Sequence, residues 1–140
     1  MVAASRPARS THPLHAVLLT CSFPLFLGGL FADIGYASTY QIQWINFAAW
    51  LIAGAMVFTG LALAWALLEA FRDSFRAKRS LIAFLLLAAI FILGLLNSFM
   101  HARDAWATMP SGLILSVIVT VLTAAALWFS VLAPTRGAAA

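Results

Sequence analysis

Charged side chains are scarce in this sequence. Its 140 residues include 8 lysines and arginines and 4 aspartates and glutamates, so 9% of the chain is charged, against about 25% in soluble domains. Hydrophobic residues make up 64% of the chain, and the mean hydropathy is +1.03. So little charge cannot cover a water-exposed surface. The shortage therefore excludes an ordinary soluble domain and indicates that lipid, or a large partner, surrounds much of the chain.

Cysteine and catalytic motifs are also missing. Cys21 is the single cysteine, so one chain can form neither an internal disulfide nor a cysteine-ligated metal site. The sequence contains no glycine-rich phosphate loop, nucleophile elbow, zinc-ligand spacing or carboxylate dyad. We therefore predict no catalytic residue, no metal site and no enzymatic activity. The net charge of +4 does not indicate nucleic acid as a partner, because no binding fold or interleaved aromatics accompany it.

What the sequence does contain is four apolar runs of membrane-spanning length. A helix of about 20 residues crosses about 30 Å of hydrocarbon, and these runs are apolar nearly all round. Short connections favour antiparallel neighbours. The sequence thus predicts an all-α integral membrane protein, a four-helix up-down bundle over residues 14–133, with short tails at 1–13 and 134–140. The predicted spans are about 14–34, 45–68, 81–100 and 113–132.

The positions of lysine and arginine predict the orientation of the bundle. Seven of the eight basic residues fall on one side of the predicted spans, and Arg103 falls on the other. Basic loops of membrane proteins stay in the cytoplasm, so we expect both termini to be cytoplasmic. The seven residues are Arg6, Arg9, Arg72, Arg76, Lys78, Arg79 and Arg136.

The segment 69–80 is interpreted as a continuation of the second helix along the membrane interface. Its basic residues are predicted to bind anionic lipid headgroups, each worth about 1 kcal/mol at the cytoplasmic leaflet. This interaction accounts for the excess of basic over acidic residues in the chain. The residues concerned are Arg72, Arg76, Lys78 and Arg79.

Polar residues that could carry chemistry fall into two groups at opposite faces of the membrane. Asp33 follows His15 by eighteen positions, which is about 27 Å along a helix. His15 and His101 are therefore expected at opposite faces and cannot ligate one haem or one metal ion together. The inner group is His12 and His15; the outer group is Asp33, Asn97, His101, Arg103 and Asp104.

Each group has two interpretations. His12 and His15 either have a plain interfacial role or bind haem, metal or lipid phosphate. The outer cluster either pins the first helix to the third or forms a patch that relays protons or holds a ligand. A stripe of small and polar residues on the fourth helix is predicted to face the bundle interior, for tight packing or as a solute path. The stripe is Gly112, Ser116, Thr120, Thr123 and Ser130.

Short segments in a specific order resemble a known family. The chain opens with His12-Pro13-Leu14-His15, continues with Phe23-Pro24-Leu25 and Ala32-Asp33, and later has Asn97 with His101. Further segments are Gln43-Trp44-Ile45-Asn46-Phe47, Arg103-Asp104-Ala105-Trp106 and Pro110-Ser111-Gly112-Leu113-Ile114-Leu115-Ser116. Together, from about Thr11 to Leu132, they resemble the DUF2231 family of bacterial membrane proteins.

The resemblance implies a four-helix inner-membrane protein without an assigned activity. Some relatives are joined to Rieske iron–sulfur domains, which implies a link to redox assemblies. Some members carry further histidines where this chain has Ala16 and Ser22, and this departure weakens haem ligation by the first helix.

Three functions follow as hypotheses. The first is a non-enzymatic subunit or accessory scaffold of a redox-related membrane assembly, with a redox partner or a second copy of the chain as its partner. The second is an electron-transfer protein that binds haem b or quinone through His12, His15 or His101. The third is an oligomeric channel or transporter for a small solute, with the stripe of the fourth helix along its path.

Overall fold

The computed structural model describes residues 13–73, 78–103 and 105–129, and these residues are helical except at short turns. Helices α1 and α3 each pack against both α2 and α5, so these elements form a ring of antiparallel neighbours. The all-α prediction is confirmed for the described residues. The helices are α1 (Pro13–Thr39), α2 (Ile42–Asp73), α3 (Lys78–His101), α4 (Ala105–Thr108) and α5 (Ser111–Leu127).

Helix α1 ends later than the hydropathy pattern predicts. Ser38 and Thr39 donate their hydroxyl hydrogens to carbonyl oxygens four residues earlier, at 2.8 and 2.7 Å, so these polar residues join the helix rather than leave it. Tyr40 then ends α1 with φ 57°, and its N–H donates to the Tyr36 carbonyl at 2.8 Å. This left-handed position usually holds glycine and costs a tyrosine about 1 kcal/mol. Only Tyr40 and Gln41 separate α1 from α2.

The junction between α2 and α3 corrects one prediction. Helix α2 does continue past its apolar run, as far as Asp73, and carries Arg72. Lys78 and Arg79, however, form the first turn of α3 rather than an extension of α2, because both residue types are good helix formers. Arg76 lies outside the described residues.

Three helices are long and apolar enough to cross a membrane: Leu14–Thr39, Ile42–Phe71 and Leu81–His101. Helix α5 is also apolar, but its described part has 17 residues, and residues 130–132 of the predicted fourth span lie outside the described part of the chain. Pro110 is the N-cap residue of α5. The single-turn helix α4 occupies a stretch predicted to be a loop.

The outside of this bundle is apolar, unlike the surface of a soluble protein. Large apolar side chains cover the outside, including Trp50 at 80% and Phe71 at 74% exposure. Leu19, Phe26 and Ile90 form part of a buried apolar core, but polar side chains share that interior. Such a surface favours lipid as the surrounding solvent. The buried polar residues are His15, Ser22, Asp33, Thr59, Asn97, His101, Thr108, Ser116, Thr120 and Thr123.

Close packing of α1 on α2 depends on a residue without a side chain. A Cβ added at Gly29 would lie 3.0 Å from Ile52 Cγ1, and Ile52 is almost fully buried. At Gly54, on the facing helix, an added Cβ would meet Leu25 Cδ1 at an ordinary 3.5 Å. The two glycines therefore differ in packing while sharing the low helix propensity of glycine.

We expect opposite results from alanine at these two positions. Gly54→Ala should leave the free energy of unfolding unchanged or raise it by up to about 1 kcal/mol, the gain in helix propensity. Gly29→Ala should lower it by about 1 kcal/mol, because overpacking outweighs that gain. Denaturation of the purified protein in mixed micelles measures both values. Equal changes for the two variants would contradict the close approach at Gly29.

Candidate functional site

Most of the buried polar side chains that could carry chemistry meet at one end of the bundle. This is the end at which α1 and α3 finish and α2 and α5 begin, and we refer to it as the Tyr40 end. Asp33 on α1, His101 and Asn97 on α3 and Ser116 on α5 form a polar network there. Asp33 and Asn97 have no exposed surface, and the other two are also buried. Three helices are thereby joined through side chains.

Asp33 is the centre of the network. Its Oδ1 lies 2.7 Å from His101 Nε2, and its Oδ2 accepts a hydrogen bond from Ser116 Oγ at 2.5 Å. Asn97 Nδ2 donates to the same Ser116 oxygen at 2.9 Å. The other His101 nitrogen, Nδ1, lies 2.9 Å from the Asn97 carbonyl oxygen. The hydrogen bonds therefore run from the side chain of Asn97 around to its own backbone.

The partners fix the position of almost every hydrogen. A backbone carbonyl only accepts, so His101 Nδ1 carries a hydrogen. The amide nitrogen of Asn97 cannot accept, so the Ser116 hydrogen must point at Asp33. One proton is left between His101 Nε2 and Asp33 Oδ1. It gives either a neutral acid beside a neutral imidazole or a carboxylate beside an imidazolium.

Both of these forms have zero net charge, which makes the site tolerable in an apolar bundle. An isolated ionised carboxylate in such surroundings would cost many kcal/mol, and intramembrane ionisable residues accordingly pair with one another. His101 and Asp33 have side-chain exposures of 1% and 0%. Removal of Asp33 would leave His101 Nε2 without a partner inside the protein, and removal of His101 would leave Asp33 Oδ1 without one.

The same residue types occur in hydrolase triads, but here their order is different. In a triad, histidine takes the serine proton and the carboxylate bonds the far nitrogen of that histidine. In this network Asp33 lies between Ser116 and His101, so the serine hydrogen goes to the carboxylate. Ser116 is also only 2% exposed. The arrangement joins helices and offers no nucleophile to a substrate.

Local sequence explains why these groups can meet. Asn97 and His101 are four residues apart and so share one face of α3. Gly112 lies one turn before Ser116 on α5 and leaves room for the histidine ring: an added Cβ would be 3.0 Å from His101 Cε1 and 2.6 Å from Thr108 Cγ2. Thr108 in α4 donates to the Met100 carbonyl at 3.1 Å. The α3–α5 turn is thus closed tightly against the network.

The predicted stripe on the fourth helix does face the interior. Gly112, Ser116, Thr120 and Thr123 are all buried, and Ser130 lies outside the described residues. Their hydroxyls behave differently from one another. Thr123 bonds back to its own helix, whereas Thr120 donates to the Phe26 carbonyl of α1 at 3.2 Å. Together with Ser116, Thr120 therefore ties α5 to α1.

The remaining candidate residues lie elsewhere. Arg103 was expected in the outer cluster, but it is exposed and donates to Met100 Sδ at 3.8 Å. Asp104 and His12 lie outside the described residues. His15 is 6% exposed, its Nδ1 has no hydrogen-bond partner among the described residues, and it lies about 27 Å along α1 from Asp33.

Sequence reasoning placed Asp33 near Asn97 and His101, but it did not include Ser116 in that cluster. A usable signal existed, since Ser116 follows Gly112 by one turn on a stripe assigned to the interior. Ser116 and Asp33 lie at the same depth in the bundle, but this can be recognised only when the first residue of α5, Ser111, is known. The second oxygen of a buried carboxylate needs a donor, and Ser116 supplies it.

Fold and site together define an all-helical membrane protein whose central ionisable groups are hydrogen-bonded to one another. The chain belongs to the DUF2231 family, since the family model, described as a predicted membrane protein, matches residues 11–133. The resemblance inferred from the short motifs is thereby confirmed. Comparisons with curated proteins and with solved structures find no match.

Two serines on neighbouring helices provide a matched test of the network. Ser116→Ala removes two hydrogen bonds and leaves polar groups of Asp33 and Asn97 unpaired, so we expect the free energy of unfolding to fall by about 1 to 2 kcal/mol. Ser98 Oγ is buried with no partner among the described residues. Ser98→Ala should therefore be neutral or slightly stabilising. Unfolding in mixed micelles measures both, and a Ser98→Ala loss as large as that of Ser116→Ala would contradict the network.

Proposed function

We propose that this protein is a non-enzymatic integral subunit or scaffold of a larger, redox-related assembly in the bacterial inner membrane. The observation that carries the proposal is the buried hydrogen-bond network at the Tyr40 end. Asp33, His101 and Ser116 are bonded to one another and are hidden from solvent. Groups engaged in this way hold helices in register and present no reactive atom to a substrate.

The histidines support this choice over haem ligation at the network. Both ring nitrogens of His101 are occupied, one by Asp33 and one by the Asn97 carbonyl. A haem iron would have to displace one of these hydrogen bonds. His15 has a free nitrogen, but it lies too far from His101 to share a ligand with it. The redox character of the assembly rests on the resemblance to a family with Rieske-linked members.

The outer surface supports a role in association. Large apolar side chains of α2 point away from the bundle, among them Phe47 at 57% and Trp50 at 80% exposure. Lipid, another membrane protein or a second copy of the chain could cover this side. The basic residues Arg72, Arg76, Lys78 and Arg79 are proposed to contact anionic headgroups. Lipid with such headgroups is therefore the partner that composition favours.

Helix α5 is proposed as the fourth membrane span. Its 17 described residues extend about 26 Å, and it packs against two helices that are long enough to cross the membrane. Arg72, Lys78 and Arg79 lie where α2 ends and α3 begins, at the end opposite Tyr40. By the positive-inside rule that end is cytoplasmic. Both termini are then cytoplasmic and the Tyr40 end faces outward.

Reporter fusions test this orientation. We expect green fluorescent protein fused after Ala140 to fluoresce and alkaline phosphatase fused there to be inactive, because phosphatase matures only outside the cytoplasm. Phosphatase fused after Gln41, between α1 and α2, is the matched control and should be active. An active phosphatase at Ala140 would contradict the proposed orientation, and an inactive one at Gln41 would contradict the outward Tyr40 end.

Gentle extraction tests the assembly. The tagged chain, produced at its natural level in its own bacterium, is released in polymer nanodiscs and analysed by mass spectrometry and visible absorption. We expect a stoichiometric partner with an iron–sulfur or haem centre. Asp33→Ala should reduce the recovery of that partner severalfold, since the helices lose their register, whereas Ser98→Ala should not. A chain recovered alone, or only with copies of itself, would contradict the redox-related assembly.

A further inference from the structure

A small cavity at the Tyr40 end lies beside the network and takes no part in it. Its volume is about 250 Å³, and Tyr36, Tyr40, Trp106 and Met109 line it. Tyr36 follows Asp33 by three residues on α1, so the cavity lies about one turn beyond the Asp33–His101 pair. Pockets that bind drug-sized ligands have volumes of about 300 to 1,000 Å³. The cavity therefore suits a small molecule or a single headgroup.

Three aromatic rings surround this space at different angles. The Tyr36 and Tyr40 ring centroids are 6.1 Å apart with planes at 70°, and those of Tyr40 and Trp106 are 6.2 Å apart with planes at 33°. Both separations are those of rings packed in direct contact, so neither a flat ring nor a methylated ammonium group fits between two of them. A cation can instead lie against the open side of the three rings, within about 6 Å of their centroids.

The burial of one ring, that of Tyr36, distinguishes this site from an ordinary aromatic belt at the membrane boundary. Belt residues face lipid or headgroups, but Tyr36 is only 5% exposed and packs with Ile45 and Met109. Tyr40 and Trp106 are 67% and 76% exposed and leave the cavity open. One wall is therefore fixed, and the other two are accessible from outside.

The backbone provides an independent observation. Tyr40 has φ 57° at the C-terminal end of α1, a position at which glycine is the usual residue. A tyrosine held in this conformation places a ring over the cavity that glycine would not supply. Such outliers cluster at ligand clamps. The four lining residues carry no formal charge, so the cavity offers an anion no ionic partner.

We propose that this cavity binds a methylated ammonium group by cation–π contact with Tyr36, Tyr40 and Trp106. Aromatic cages recognise quaternary ammonium ligands through the negative faces of their rings. The cation can belong to a soluble compound such as choline or to the choline headgroup of a lipid. The chemistry of recognition is the same in both cases.

Binding of choline and of its neutral isostere 3,3-dimethylbutan-1-ol to the full chain in a non-ionic detergent tests the proposal. The two compounds have the same shape and differ in charge, so we expect the isostere to bind about tenfold more weakly. Tyr40→Gly should weaken choline binding about fivefold while relaxing the backbone, so that the fold is retained. Tyr40→Phe keeps the ring and should preserve the affinity.

Trp106→Leu and Trp50→Leu form a matched pair, because both tryptophans are highly exposed but only Trp106 lines the cavity. We expect weaker choline binding for Trp106→Leu alone. In nanodiscs, native mass spectrometry should show retention of phosphatidylcholine over phosphatidylglycerol if the cation comes from lipid. Choline binding in detergent or selective lipid retention supports the site. Failure of both, equal binding of the isostere, or full affinity of Tyr40→Gly overturns it.

Discussion

The carboxyl group of Asp33 is the constraint on which the Tyr40 end depends. A carboxylate inside an apolar bundle must be neutralised and its oxygens must receive hydrogen bonds. His101 shares a proton with one oxygen, Ser116 donates to the other, and Asn97 orients both partners. Gly112 is required in turn, because any side chain there would meet the histidine ring. One acidic residue thus dictates the composition of three neighbouring helices at this depth.

The network specifies packing more than it stabilises it. Hydrogen bonds between membrane helices contribute on average about 0.6 kcal/mol each, so a few of them add little to the total. Apolar contacts between Leu19, Phe26 and Ile90, in contrast, have alternatives in lipid that are nearly as favourable. A shift of α1 by one residue would turn Asp33 by about 100° away from His101 and Ser116. The polar contacts therefore exclude registers that the apolar core would tolerate.

Hydropathy predicted the long helices because lipid selects for apolar residues at every exposed position. It did not predict their ends, since Ser38 and Thr39 satisfy their hydroxyls within the helix and Lys78 joins α3. The predicted topology put Asp33 and His101 at the same end of the bundle. The role of Ser116 could be predicted only from the way in which α5 faces α1. The cavity could be predicted only from the left-handed conformation of Tyr40. Arg103 fits the cluster by position along the chain, but its side chain points elsewhere.

Groups that satisfy one another inside a bundle are not available to a substrate. Binding then falls to two other surfaces of the bundle. The apolar side of α2, which carries the exposed Trp50, is one of them. The Tyr40 cavity is the other, and its fixed wall, Tyr36, lies one turn from Asp33 on the same helix. Because Asp33 anchors that turn to α3 and α5, the geometry of the cavity depends on the network even though no network residue lines it.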